Sequence, residues 1–101
     1  MKYKSYLSVF KDFVKSGCPK NTKEREKISL RNGLGAGALG NEITGIERAL
    51  KGDVERFSGA VFSRHTLNVL VDACEAGYIN ERQFFFIHKT MVNHIKSEKS
   101  K

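Results

Sequence analysis

Asn80-Glu81-Arg82-Gln83-Phe84-Phe85-Phe86-Ile87-His88-Lys89-Thr90-Met91-Val92-Asn93-His94-Ile95-Lys96 is the stretch on which the reading of the fold turns. Asn80 followed by Gln83 is a capping-box pair, in which each side chain satisfies a backbone N–H that the first helical turn would leave open. Ile79 and Phe84 flank that pair at the positions of a hydrophobic staple. At about 100° per residue, Phe84, Ile87, His88, Met91 and Ile95 gather on one flank with Phe85 and Val92 beside them, and that flank is expected to be core. Arg82, Phe86, Lys89, Asn93 and Lys96 fall on the opposite side, within roughly 80° of one another. The segment therefore reads as a two-faced helix, and a helix needs partners of its own kind to bury one face.

The chain upstream supplies them. Ser63 is placed to cap a helix whose Leu67, Leu70, Val71 and Cys74 form a stripe and which Gly77 closes. Leu39, Ile43, Ile46 and Leu50 share a face on a helix that ends at Gly52. Asn21 with Glu24 resembles a second capping box, opening a charged helix in which Ile28 and Leu30 alone offer something to bury, and which stops at Asn32 and Gly33. Tyr3, Tyr6, Leu7, Phe10, Phe13 and Val14 recur at helical spacing over 2–16, and Gly17 with Pro19 ends that run. Residues 53–62 read as a connector with one helical turn, Asp53 capping it and Val54 and Phe57 on board. No stretch alternates apolar with polar residues for long enough to propose a strand. The expected fold is all-α: a compact single-domain bundle of four to five short helices over 1–96, with a Gly-rich break in the middle and a polar basic tail over 97–101.

A chain of 101 residues, 40% hydrophobic and without tryptophan, can bury one core. Its longest unbroken apolar run, Phe84 to Ile87, is far short of the ~20 residues that cross a bilayer, and Lys11 and Asp12 interrupt anything resembling a leader. No transmembrane segment and a cytoplasmic location are expected. Cys18 and Cys74 are too few and too far apart for a disulfide scaffold or a zinc site, and read as a loop thiol and a small core residue.

The net charge of +7 is unevenly spread. Residues 1–25 carry seven cations against Asp12 and Glu24, and from Lys89 onward four lysines face Glu98, while the middle holds seven cations and eight acids. Ends loaded with one sign of charge attract an anionic partner. On the first helix Lys4, Lys11 and Lys15 form a stripe along the border of the apolar face. Such a row can follow a phosphate backbone, lie on an anionic membrane above Tyr3, Tyr6, Phe10 and Phe13, or consist of lysines whose stems cover the core edge. On the last helix, Arg82, Lys89 and Lys96 suit phosphates, Asn93 suits a base edge, and Phe86 suits stacking on an unpaired base. The same Phe86 also suits packing against a neighbouring helix or a second subunit.

Three further patterns have ordinary structural roles as their plainer reading. Gly35, Gly37 and Gly40 spell G-x-G-x-x-G ahead of a helix, but no strand precedes them, so a hinge or a close helix crossing is the plainer reading. Ala73 and Gly77 stand at helix-turn-helix positions, yet Gln83 occupies the place of an aliphatic residue and three phenylalanines open the would-be recognition helix. His65, His88 and His94 lack metal-ligand spacing, and the carboxylates, Asp72 included, read as solvated or capping groups. No catalytic residue, cofactor or metal site is proposed. The expected function is that of a small, basic, non-enzymatic nucleic-acid-binding protein, DNA or RNA, with a regulatory role such as transcription regulation, using Lys4, Lys11, Lys15, Arg82, Phe86, Lys89, Asn93 and Lys96. The alternative is a protein-interaction module, an inhibitor or an oligomerising adaptor able to form a homodimer, whose Phe86 and first-helix aromatics anchor on an acidic protein.

Overall fold

The computed structural model describes residues 5–55 and 64–99. Five helices account for most of them: α1 (Leu7–Lys15), α2 (Thr22–Arg31), α3 (Ala38–Leu50), α4 (Arg64–Glu75) and α5 (Glu81–Lys99). The all-α reading holds, and no strand occurs among the described residues. The Ser63 cap, Phe57 and Lys4 lie outside them. Asp53 Oδ1 accepts the Glu55 N–H at 3.3 Å, and the connector beyond Glu55 lies outside the described residues.

The ends of the helices follow from local chemistry. Asn80 Oδ1 accepts from Gln83 N at 2.8 Å and Gln83 Oε1 from Asn80 N at 2.9 Å, so the capping box of α5 is complete. At α2 only half the box forms: Asn21 Oδ1 takes the Lys23 N–H, while Glu24 turns to Lys27 at 3.4 Å. α1 to α4 all end in one way. The glycine after the C-cap, Gly17, Gly33, Gly52 or Gly77, has positive φ, and the residue beyond it donates its N–H back five positions, as Tyr78 does to the Ala73 carbonyl at 2.9 Å.

α1 packs on α2 and α4, α2 on α3, α3 on α5, and α5 on α4. The order of principal neighbours is a closed ring, α1–α2–α3–α5–α4, around one core. Phe10 and Phe13 of α1, Leu39, Ile43 and Ile46 of α3, Leu70 of α4 and Ile87 of α5 are almost wholly buried there. Burying that apolar surface is the main favourable term in holding the helices together.

Three expectations about faces need correction. Phe85, read as flanking the core, is 65% exposed, and Leu30, read as one of two buried residues of α2, is 60% exposed. α2 buries Ile28 and Ser29 instead. The inward stripe of α4 is Val69, Leu70 and Ala73, whereas Val71 is half-buried and lines a cleft against α5; Cys74, also half-buried, packs against the core and borders the same cleft. α4 is turned this way because it serves two neighbours, α1 and α5. Among the described residues α1 begins at Leu7, with Tyr6 at the N-cap. α5 in turn continues through Lys99.

The start of α1 is fixed by a distant residue. Asp72 is 7% exposed, and its Oδ2 accepts from the Tyr6 N–H and from Ser5 Oγ, the latter at 2.9 Å. Ser5 Oγ in turn accepts from Leu7 N at 3.2 Å. A carboxylate beside the positive end of a helix satisfies an N–H that has no partner within the helix and complements the dipole. Asp72 is thus a buried cap and not the solvated acid the sequence suggested. Ser29 does the same for α3, where Gly37 has no side chain to offer: its buried Oγ accepts from Leu39 N at 3.1 Å.

Candidate functional site

α5 sets the geometry of the site. The capping box fixes its first turn, and Ile87 and Met91 fix its rotation by entering the core. The opposite side is left to solvent: Arg82, Lys89, Asn93 and Lys96 are exposed, and Phe86 is 47% exposed. The five share one strip of helix surface, running roughly 20 Å at 1.5 Å per residue. Thr90 sits beside the strip and returns its hydroxyl to the Phe86 carbonyl at 2.7 Å.

The α1 lysines do not extend this strip along a shared seam. Lys11 and Lys15 are exposed, but α1 and α5 are not principal neighbours in the ring. The apolar side of α1 is spent: Phe10 and Phe13 are in the core, so neither can lie on a membrane or anchor a protein partner. Tyr6, half-buried, meets His65 edge-on at 5.6 Å, and burial followed by the Glu42 carboxylate raises its pKa.

Two residues that were not among the sequence candidates join α5 by tertiary structure. A cleft of about 280 Å³ is lined by Leu50, Arg82, Gln83 and Phe86. A second cleft, lined by Lys20, Arg25, Glu47, Leu50 and Lys51, shares Leu50 with it. Exposed Lys51, at the C-cap of α3, and exposed Lys20, between α1 and α2, are thereby brought round to the Arg82 and Phe86 end of α5. Their only sequence signal is position, next to Gly52 and Pro19 at helix ends.

A hydrogen-bonded cluster supports the wall of this region. Arg25 donates from Nε to the Pro19 carbonyl at 2.8 Å, lies 5.8 Å from the centre of the Phe13 ring, and approaches Glu47 at 3.8 Å. Tyr78 stacks on Phe10 at 6.1 Å, meets Phe13 edge-on at 5.4 Å and donates its hydroxyl to Glu47 at 3.2 Å. Burial, and then the neighbouring Glu47 charge, push the Tyr78 hydroxyl up to about 12. Glu47 is therefore held among structural partners, while Lys20 and Lys51 carry no ion pair among the described residues.

The other side of α5 differs in chemistry. Phe84, Phe85, Val71 and Cys74 form an apolar cleft of about 250 Å³ with Glu75 and Glu81 at its edge. His88 stacks on Phe84 at 6.3 Å. The cysteines are unpaired, and no group of three His, Cys, Asp or Glu side chains that could hold a metal ion occurs among the described residues.

The glycine motif forms no close crossing. A Cβ at Gly35 or Gly40 would meet nothing within 4 Å, and one at Gly37 only the Asn41 amide at 3.7 Å. The second N–H of α3, which a phosphate nest would need, is already taken by Ser29. Of the helix-turn-helix positions, Ala73 is fully buried and Gly77 has φ +87°, but Gln83 is engaged in the cap and Phe85 and Phe86 face solvent. No helix among the described residues is long and apolar enough to cross a membrane. Comparison with known proteins finds no matching family, no similar curated protein and no similar solved structure.

Proposed function

We propose that the chain is a non-enzymatic nucleic-acid-binding protein that uses the exposed strip of α5, with a regulatory role. The observation that carries this reading is Phe86, half-exposed on a rigid helix face between Arg82, Lys89, Asn93 and Lys96. Cations on such a face neutralise phosphates and release counter-ions, and the net charge of +7 adds a long-range attraction to any polyanion. Lys11 and Lys15 contribute through that general field.

Fluorescence anisotropy with labelled DNA and RNA at several salt concentrations tests the reading. Wild type is expected to bind with a log-log salt slope of several units. Lys89→Glu combined with Lys96→Glu is expected to weaken binding by at least tenfold and to flatten that slope. Unchanged binding would remove α5 from the interface.

A second reading has its own support in Phe85, which at 65% exposure beside an apolar cleft suits a protein interface. Sedimentation at increasing concentration distinguishes it: association abolished by Phe85→Ala would favour an interaction module, and a monomer throughout would count against self-association.

A further inference from the structure

We infer that the cleft of Leu50, Arg82, Gln83 and Phe86 seats an unpaired base, so that the preferred ligand is single-stranded nucleic acid. The inference rests on the nucleic-acid reading above and narrows it to a strand form.

Two apolar walls come from different helices, Phe86 from α5 and Leu50 from the last turn of α3. At about 280 Å³ the cleft is at the small end for sites that take organic ligands, and its ring and aliphatic walls match a flat aromatic guest. Base stacking on an aromatic side chain requires a base that is not already stacked and paired within a duplex. The polar groups are equally specific. Arg82 offers a planar guanidinium, which both stacks and donates. Gln83 is held in one orientation by the capping box, because its Oε1 is engaged with the Asn80 N–H. Its amide N–H groups have no partner among the described residues, so they are donors available to a base carbonyl or ring nitrogen.

The charges around the cleft mark a route for the backbone. On one side lie Lys51 and Lys20, reached across Leu50; on the other, Lys89 follows Phe86 by less than one helical turn. The one carboxylate on the route, Glu47, is occupied by Tyr78 and Arg25. A strand passing over Phe86 therefore meets cations before and after the base seat, the combination of phosphate track and stacking platform that binds single strands with little sequence preference.

The test is anisotropy with labelled oligo-dT, oligo-U and a random DNA duplex of equal length, using wild type, Phe86→Ala, Phe86→Tyr and Lys51→Glu. Circular dichroism melts confirm that each variant is folded. Wild type is expected to bind both single strands more tightly than the duplex. Phe86→Ala should lose about tenfold on single strands and little on the duplex, Phe86→Tyr should retain wild-type affinity, and Lys51→Glu should lower the single-strand salt slope by roughly 0.7. A duplex preference, or single-strand affinity indifferent to Phe86→Ala, overturns the base seat and leaves nucleic-acid binding standing. No binding to any of the three overturns both.

Discussion

Tyr78 shows how much one side chain can carry in a core this small. Its ring lies between Phe10 and Phe13 of α1, and its hydroxyl reaches Glu47 of α3, so the turn between α4 and α5 is tied to two other helices. Because the hydroxyl titrates near 12 in the folded chain and near 10 when unfolded, the folded state keeps a proton that the unfolded state has lost in that window. Tyr78 therefore contributes stability that is fully present below about pH 10 and lost as pH climbs toward 12. Thermal melts of wild type and Tyr78→Phe across that range are expected to converge by about 1–2 kcal/mol, with the lysine contributions common to both cancelling. Parallel curves would mean that the hydroxyl is not perturbed. Tyr6 keeps a smaller slope of the same sign in both proteins.

At the scale of the helix, stop signals prove more legible than faces. Gly17, Gly33, Gly52 and Gly77 are visible in the sequence as breaks, and all four take up positive φ at helix ends. Asn80 likewise caps as its spacing suggests, and Asn21 caps without the return bond from Glu24. What periodicity misjudges are Phe85, Leu30 and Asp72, because a helix wheel gives angles within one element and says nothing about which neighbours border it. The place of Lys20 and Lys51 is hidden from the sequence for the same reason: their cleft adjoins that of Arg82 and Phe86 through Leu50 only once α3 has packed on α5. Glycines in the chain divide accordingly into two kinds. Gly77 has φ +87° with open space around its Cβ position, so Gly77→Ala should cost about 1–2 kcal/mol from backbone strain alone. Gly40 lies within α3, also in open space and without positive φ, so Gly40→Ala should stabilise by roughly 0.5–1 kcal/mol. Chemical denaturation of the two variants checks both signs.

For the whole molecule, the ring is closed by the contact between α1 and α4, and Asp72 is the polar part of that closure. Asp72→Ala leaves the half-buried Tyr6 N–H without its acceptor, which should cost about 1–3 kcal/mol. Amide hydrogen exchange should then accelerate first in α1, while α3 and α5 retain their protection. Uniform acceleration in all five helices would instead mean that the domain opens only as a unit. The all-α class and the five helices of the described residues were readable in the chain because caps and glycines are local, whereas the ring order is a product of packing that no single segment encodes.

The acceptor for the start of α1 lies 66 residues further along the chain. While the polypeptide is being made, α1 leaves the ribosome first and must wait for α4 before its N-terminus is capped. Nascent chains shorter than this hold Phe10 and Phe13 without their Tyr78 lid, so the interval before residue 78 emerges is when the protein is most open to aggregation and to chaperones.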